Sequence, residues 1–244
     1  MRKLIVLISL AALWIVLLFV VAEMPPVGDP GNPTNTHVVD RYLKKGVEEA
    51  GCENIVTAIV LNYRGYDTMG EVTVIFTALC SVLAILGRER PKTSYSIVDI
   101  SKVKSSVITR TVILLLLPLI IMFSLYVILH GDVSPGGGFQ GGTVAAASLI
   151  VFTLVFGYLY SLKKIPVRLR VTVESSAPIA FAVVGLTALA FQRNFLTFMI
   201  PGIAPSSQLL LARALLLLLE IGIGLGGATI FTSIFYSMKR EEPK

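Results

Sequence analysis

Leu209–Phe235 reads LLLARALLLLLEIGIGLGGATIFTSIF, an apolar run interrupted by one basic residue, Arg213, and one acidic residue, Glu220. It exceeds the roughly 20 residues that an α-helix needs to cross about 30 Å of hydrocarbon. Five further runs match it: Leu4–Ala22, Tyr66–Leu86, Val107–Leu129, Gly141–Tyr160 and Val171–Phe191. Lipid offers the backbone no hydrogen-bond partners, so each run must satisfy its own N–H and C=O groups as a helix. The alternating pattern of a β-barrel is absent. The sequence therefore predicts an all-α polytopic membrane protein with six transmembrane helices.

Composition agrees: 55% of the 244 residues are hydrophobic and 15% charged, with a mean hydropathy of +0.80. The formal charge of +6 does not point to nucleic acid, because its placement orients the chain in the bilayer. With the amino terminus inside, fifteen of the 21 Lys and Arg fall on the inner links, including Arg88, Arg90, Lys163 and Lys239. The positive-inside rule then predicts a multi-pass plasma-membrane protein with both termini cytoplasmic. Arg2 and Lys3 resemble the start of a signal peptide, but Leu4–Ala22 exceeds the usual ~7–15 apolar residues of one and is expected as a retained helix. Cys52 and Cys80 form no CxxC, and only His37 and His130 accompany them. No metal site, cofactor or catalytic residue is expected on this chain, and any redox cluster belongs to other subunits.

The chain is expected to divide near residue 90, into a two-helix unit (1–90) and a four-helix unit (91–244). In the first, the Pro- and Gly-rich stretch Pro25–Pro33 is expected to be extended. Val38–Ala50 has the spacing of a short interfacial helix, and Ile55–Leu61 is too short to span. Ser94–Lys104, inside the basic link, is expected as a surface helix.

Charges inside the spans are the first suspects for function. Asp67 and Glu71 lie one helical turn apart, on one face, with Arg64 close enough to offset part of their charge. For Asp67 the polar-cap reading leads, since an acid near a helix start complements the macrodipole. Glu71 is expected to be the buried acid, needing a partner, a proton or a cation. Glu220 interrupts the last span, and Gly222 and Gly226 beside it allow close helix approach. Its role is open between ion transport and an inter-subunit hydrogen bond.

The most unusual string is the link His130-Gly131-Asp132-Val133-Ser134-Pro135-Gly136-Gly137-Gly138-Phe139-Gln140-Gly141-Gly142. Its Pro and glycines suit a tight interhelical turn. Free N–H groups at the start of the next helix could also face an anion or water. His130 reads either as a proton relay or as a satisfied interfacial residue. Glu174 is expected in a surface or interfacial ion pair with Arg168 or Arg170, and Pro118 and Pro178 are candidate kinks.

Two strings carry a resemblance. Asn62-Tyr63-Arg64-Gly65-Tyr66-Asp67-Thr68-Met69-Gly70-Glu71 is similar to the carboxy-terminal part of the large MrpA subunit of Mrp-type cation/proton antiporters. Pro135-Gly136-Gly137-Gly138-Phe139-Gln140-Gly141-Gly142, with its four helices, resembles the MnhB/MrpB subunit. Both units recur in complex I-related archaeal membrane-bound hydrogenase and sulfane-sulfur reductase complexes. The resemblance spans roughly residues 50–240 and implies a subunit of a sodium-translocating module. Glu71 would lie on or beside the cation path, with Asp67 nearby, and the glycine loop would be structural or line that path. It implies other Mrp-type membrane subunits and hydrogenase-like electron-transfer subunits as partners, with Na⁺ bound at most transiently. The joined form of the two units favours the sulfane-sulfur reductase type. The alternatives are a scaffold subunit without ion handling, or a subunit of a stand-alone Mrp antiporter.

Overall fold

A computed structural model describes residues 2–87, 105–200, 202 and 204–238. The boundary near residue 90, the helix expected over Ser94–Lys104, and the basic residues Arg88, Arg90 and Lys239 lie outside the described residues. Among the described residues the regular elements are all helical, and six spans are long and apolar enough to cross a membrane: Lys3–Ala22, Gly65–Leu86, Val107–Leu129, Gly138–Phe156, Val167–Ala190 and Pro205–Met238.

The chain forms two compact units, Met1–Lys44 and Lys45–Lys244. In the first, α1 (Arg2–Ala22) is apolar on every side and buries none of its span. The stretch expected to be extended is folded into turns instead: the Asp29 N–H donates to Pro26 O at 3.3 Å and the Asn32 N–H to Asp29 O at 3.1 Å. Asp29 Oδ1 also accepts from the Gly31 N–H at 2.8 Å. Asp, Gly and Pro in succession favour such turns, which a reading of Pro as merely stiff misses. A π-helical turn, Thr34–Val38, then leads into α2 (Val39–Ala50), which runs across the division between the units.

The second unit contains α3 (Ile55–Thr57), a π-helical segment Ala58–Tyr63, α4 (Gly65–Leu86), α5 (Val107–Leu129), α6 (Gly138–Phe156), α7 (Tyr158–Lys164), α8 (Val167–Glu174), α9 (Ser176–Ala190) and α10 (Pro205–Met238). Its hub is α10, packed chiefly against α6 and α9 and also against α4 and α8. At 34 residues and about 1.5 Å per residue, α10 is longer than the hydrocarbon it crosses.

Glycines let its neighbours come close. A Cβ on Gly222 would sit 2.9 Å from Ala180 Cβ, and one on Gly226 3.1 Å from Ala177 Cβ, so this face of α10 seats α9. On another face, a Cβ on Gly142 of α6 would meet Gly224 O at 2.5 Å. With no water to expel between membrane helices, such close packing is what holds them together.

The fifth span is not one helix. It breaks at Ser175, because Pro178 has no N–H to return to the Glu174 carbonyl. The fourth span begins three residues before the expected Gly141 and stops at Gly157, whose φ of +94° ends the helix. Pro118 stays within α5. After α9 the chain folds back into the core, where Leu196, Phe198 and Ile200 are buried and Leu196 holds a φ of +63°.

Candidate functional site

The link between α5 and α6 is fastened from outside its own helices. Asn54 Nδ2 donates to Gly131 O at 2.8 Å and to Ser134 O at 2.7 Å. Thr57 Oγ1 donates to Gly131 O at 2.5 Å, and the N–H groups of Glu53 and Asn54 both reach Asp132 O. Glu53 is itself tied to Arg213 at 3.0 Å. Within the link, the Gly137 N–H donates to Val127 O at 3.1 Å and Gly137 takes a φ of +140°, a conformation suited to glycine. Ser124 Oγ completes the fastening by donating to Gly141 O at 2.8 Å.

This clamped loop cups one side chain. Glu220 is 5% exposed, and its Oε2 accepts from the Gly138 N–H, at the first turn of α6. A Cβ on Gly131 would lie 2.9 Å from Glu220 Oε1, and one on Gly137 would lie 3.2 Å from Oε2. Three backbones therefore crowd the carboxylate, and only glycine leaves room for it.

A cavity of about 340 Å³ lies beside this carboxylate. Thr57, Val60 and Leu61 before α4, Thr68 and Glu71 on α4, Gly136–Gly138 with Gln140 and Thr143 on the α6 side, and Glu220 and Ile223 on α10 line it. Glu71 and Glu220, 149 positions apart in sequence, thus share one cavity. The expectation for Glu71 fails, since Glu71 is exposed, and Glu220, expected to pack against a neighbouring helix, is the buried acid. Hydropathy gave both a membrane depth, but only the folded glycine loop determines which of them is enclosed.

Asp67 pairs with Arg64 at 2.6 Å, both side chains more than half exposed, which is the polar-cap arrangement. His130 caps the end of α5, its Nδ1 3.1 Å from Tyr126 O and its ring stacked on Tyr126. It is exposed and does not line the cavity. Cys52 and Cys80 are free thiols, the first buried and the second exposed. Burial, with Asp132 and Glu220 nearby, pushes the Cys52 thiol up to about 11.

Comparison with known proteins gives this arrangement a family. The profile described as "Domain related to MnhB subunit of Na+/H+ antiporter" matches residues 108–232, more than half of the 244. The chain belongs to this MnhB-related family. A second profile, MbhE, which describes one of the MBH subunits, matches residues 30–103. The MnhB-related chain is similar over 99% of its length, and 99% of the other's, to a chain in the structure of the membrane-bound sulfane sulfur reductase, an archaeal respiratory membrane complex, with a TM-score of 0.66 and 30% identity. A chain of the Mrp complex from Dietzia sp. DQ12-45-1b shares its fold, with a TM-score of 0.65 and 23% identity over 98% of this chain and 26% of that one. It is 25% identical over 138 residues to the A/B component of a probable K(+)/H(+) antiporter of Rhizobium meliloti strain 1021, covering 49% of this chain but only 14% of that relative's length.

Within the MnhB-related region, a second polar cluster corrects the expectation for Glu174. Glu174 and Arg170 are 2% and 1% exposed, not a surface pair. Ser233 Oγ on α10 joins them, accepting from Arg170 Nη1 at 3.1 Å and donating to Glu174 Oε1. The Arg170 guanidinium lies 4.5 Å from the centre of the Tyr236 ring, and Tyr236 Oη bonds to Thr153 Oγ1 at 2.9 Å and to Ser161 Oγ. Sequence spacing brought Glu174 near Arg170 but missed their burial and their partner Ser233 on α10, as it missed Asn54 and Thr57. Each of these depends on a partner that is distant in the chain.

Proposed function

We propose that this chain is a membrane subunit of the sodium/proton-translocating module of a complex I-related respiratory complex, of the sulfane-sulfur reductase or hydrogenase type. The observation that carries the proposal is the cavity shared by Glu71 and Glu220, one acid at its exposed side and one on its buried wall. Hard carboxylate oxygens suit Na⁺, and a proton competes for the same oxygens. In this reading an ion passes between Glu71 and Glu220, with Thr57, Thr68, Gln140 and Thr143 offering further oxygen atoms. Na⁺ is a passing occupant and not a resident cofactor. The full-length match to a sulfane sulfur reductase chain supports that host, with hydrogenase-like electron-transfer subunits among the partners. Two successive profiles, over residues 30–103 and 108–232, support a fusion of two units, with the first profile running through most of the basic link and past residue 90.

The test is Na⁺ uptake by the assembled complex in proteoliposomes. Glu220→Gln keeps a carbonyl oxygen for the Gly138 N–H but removes the charge, and Glu71→Gln does the same at the exposed side. Each is expected to lower uptake to that of liposomes without complex, while subunit composition stays unchanged. Wild-type uptake by both variants would overturn the assignment. One observation favours a scaffold reading: the Gly138 N–H already satisfies Glu220. That reading predicts intact transport in both variants, and loss of assembly only when Gly222 or Gly226 becomes Leu.

A further inference from the structure

α5 and α6 are fastened at both ends and part between. Beside the glycine loop they touch: a Cβ on Gly141 of α6 would lie 2.4 Å from Ile128 Cγ1 and 2.7 Å from Ser124 O of α5. At the far end Ser105, just before α5, ties them. Its Oγ donates to Val155 O of α6 at 2.8 Å and accepts from Arg110 Nε at 2.7 Å. Between the fastenings lies a slot of about 190 Å³, walled by Ile113, Leu117 and Ile120 of α5 and by Val144, Ala147 and Val151 of α6.

The slot shows no polar atom. Ser148, the one hydroxyl in its wall, donates to Ala145 O at 2.7 Å. Water would find no partner there, and a dry void forfeits the dispersion contacts that hold membrane helices together. The slot is half open to the side. Leu114, Leu116 and Leu154, which neighbour its walls in sequence, are 44–55% exposed, as suits a side that faces lipid.

Shape and charge select the occupant. From Ile113 to Ile120 the slot runs about 10 Å along α5, at 1.5 Å per residue. Arg110 continues the same stripe of α5, three residues before Ile113. It is the one charged side chain in α5, and α6 carries none. It lies about 5 Å inside the start of α5 at Val107, near the boundary between headgroups and hydrocarbon, and Ser105 holds its guanidinium there. An elongated apolar space thus ends beside one fixed cation, and a phospholipid has the same order of parts.

We propose that this slot binds one acyl chain of an anionic phospholipid whose phosphate pairs with Arg110. The acyl chain fills the void between the two helices, and the cation fixes which end of the lipid lies where.

The experiment uses the intact complex, stripped of loosely held lipid by prolonged washing in mild detergent. Phosphatidylglycerol bearing a diazirine on one acyl chain is then titrated in and irradiated, and crosslinked peptides are located by mass spectrometry. The segment from Val144 to Val151 is expected to label saturably and to be protected by unlabelled phosphatidylglycerol. Leu115 and Leu119, on the exposed side of α5, are expected to label in proportion to the probe, without protection. Arg110→Gln is expected to weaken the saturable labelling at least about tenfold, the loss of one charged hydrogen bond. A diazirine-bearing fatty alcohol, which lacks the phosphate, should bind the wild-type complex as weakly. Ala147→Phe fills the slot and is expected to abolish saturable labelling. Slot labelling that stays proportional to the probe, or is absent because a protein segment fills the slot, would overturn the proposal. So would saturable labelling unchanged in Arg110→Gln or in Ala147→Phe, or equal affinity for the fatty alcohol. Should Ala147→Phe prevent assembly, protection by unlabelled lipid in the wild-type complex decides alone.

Discussion

A charged side chain midway along a membrane helix costs about 2.5–3.5 kcal/mol on insertion scales. Glu220 offsets this cost with a backbone N–H from α6 and a wall of glycine, whereas Glu71 is exposed at the cavity. Cys52 extends the same enclosure outside the spans. Its thiol, raised to about 11 from 9.0, favours the neutral form in the folded chain. Its contribution to stability is therefore complete below pH 9 and lost as pH climbs through 11. In a Cys80→Ser background at pH 8 a maleimide is expected to spare Cys52 in the folded chain, with labelling appearing only on unfolding or in strong alkali. Labelling of the folded chain at the unfolded rate at pH 8 would count against the enclosure. At this scale the sequence located the acids but not their surroundings. Burial of Glu220 depends on Gly131, Gly137 and Gly138 arriving from a loop more than 80 positions away, and no local pattern encodes that arrival.

Between helices, α10 carries its own control experiment. Gly224 and Gly227 look alike in the sequence, but a Cβ on Gly224 would meet Ile128 Cδ1 at 2.6 Å while one on Gly227 would meet nothing within 4 Å. Gly227→Ala is expected to be neutral or to stabilise by about 0.5–1 kcal/mol, the helix-interior cost of glycine. Gly224→Ala is expected to lower the melting temperature of the purified complex by forcing α5 away from α10. The cluster joining α8 to α10 offers a second test at this scale. Arg170→Met alone strands the buried Glu174 and is expected to cost about 3–5 kcal/mol, while Arg170→Met with Glu174→Met should recover most of that loss. A double-mutant cycle on thermal stability measures the difference. Helix existence was legible from hydropathy for all six spans, because length and apolarity alone decide it. The break at Ser175 was not, since a Pro inside an apolar run is compatible with either a kink or a break; nor was the π-helical segment before α4, in which no residue marks the wider turn.

Six crossings require that the segments before the second, fourth and sixth spans lie on one side of the membrane, and the hydrogen bonds agree independently. Asn54 and Thr57 hold Gly131 and Ser134, and Arg213 near the start of α10 holds Glu53, so all three links meet at one end. That end also carries the link of the glycine loop and the cavity. Which side of the membrane it faces is an expectation from charge alone: the links at the opposite end hold most of the Lys and Arg, which predicts the cavity end outside and both termini in the cytoplasm. A membrane-impermeant maleimide decides it. In a Cys80→Ser background, Val47→Cys, on the exposed side of α2, is expected to react in intact cells. Lys163→Cys, at the other end of the bundle, is expected to react only in inverted vesicles. The reverse pattern would turn the protein over, and the cation would then reach Glu71 and Glu220 from the cytoplasm.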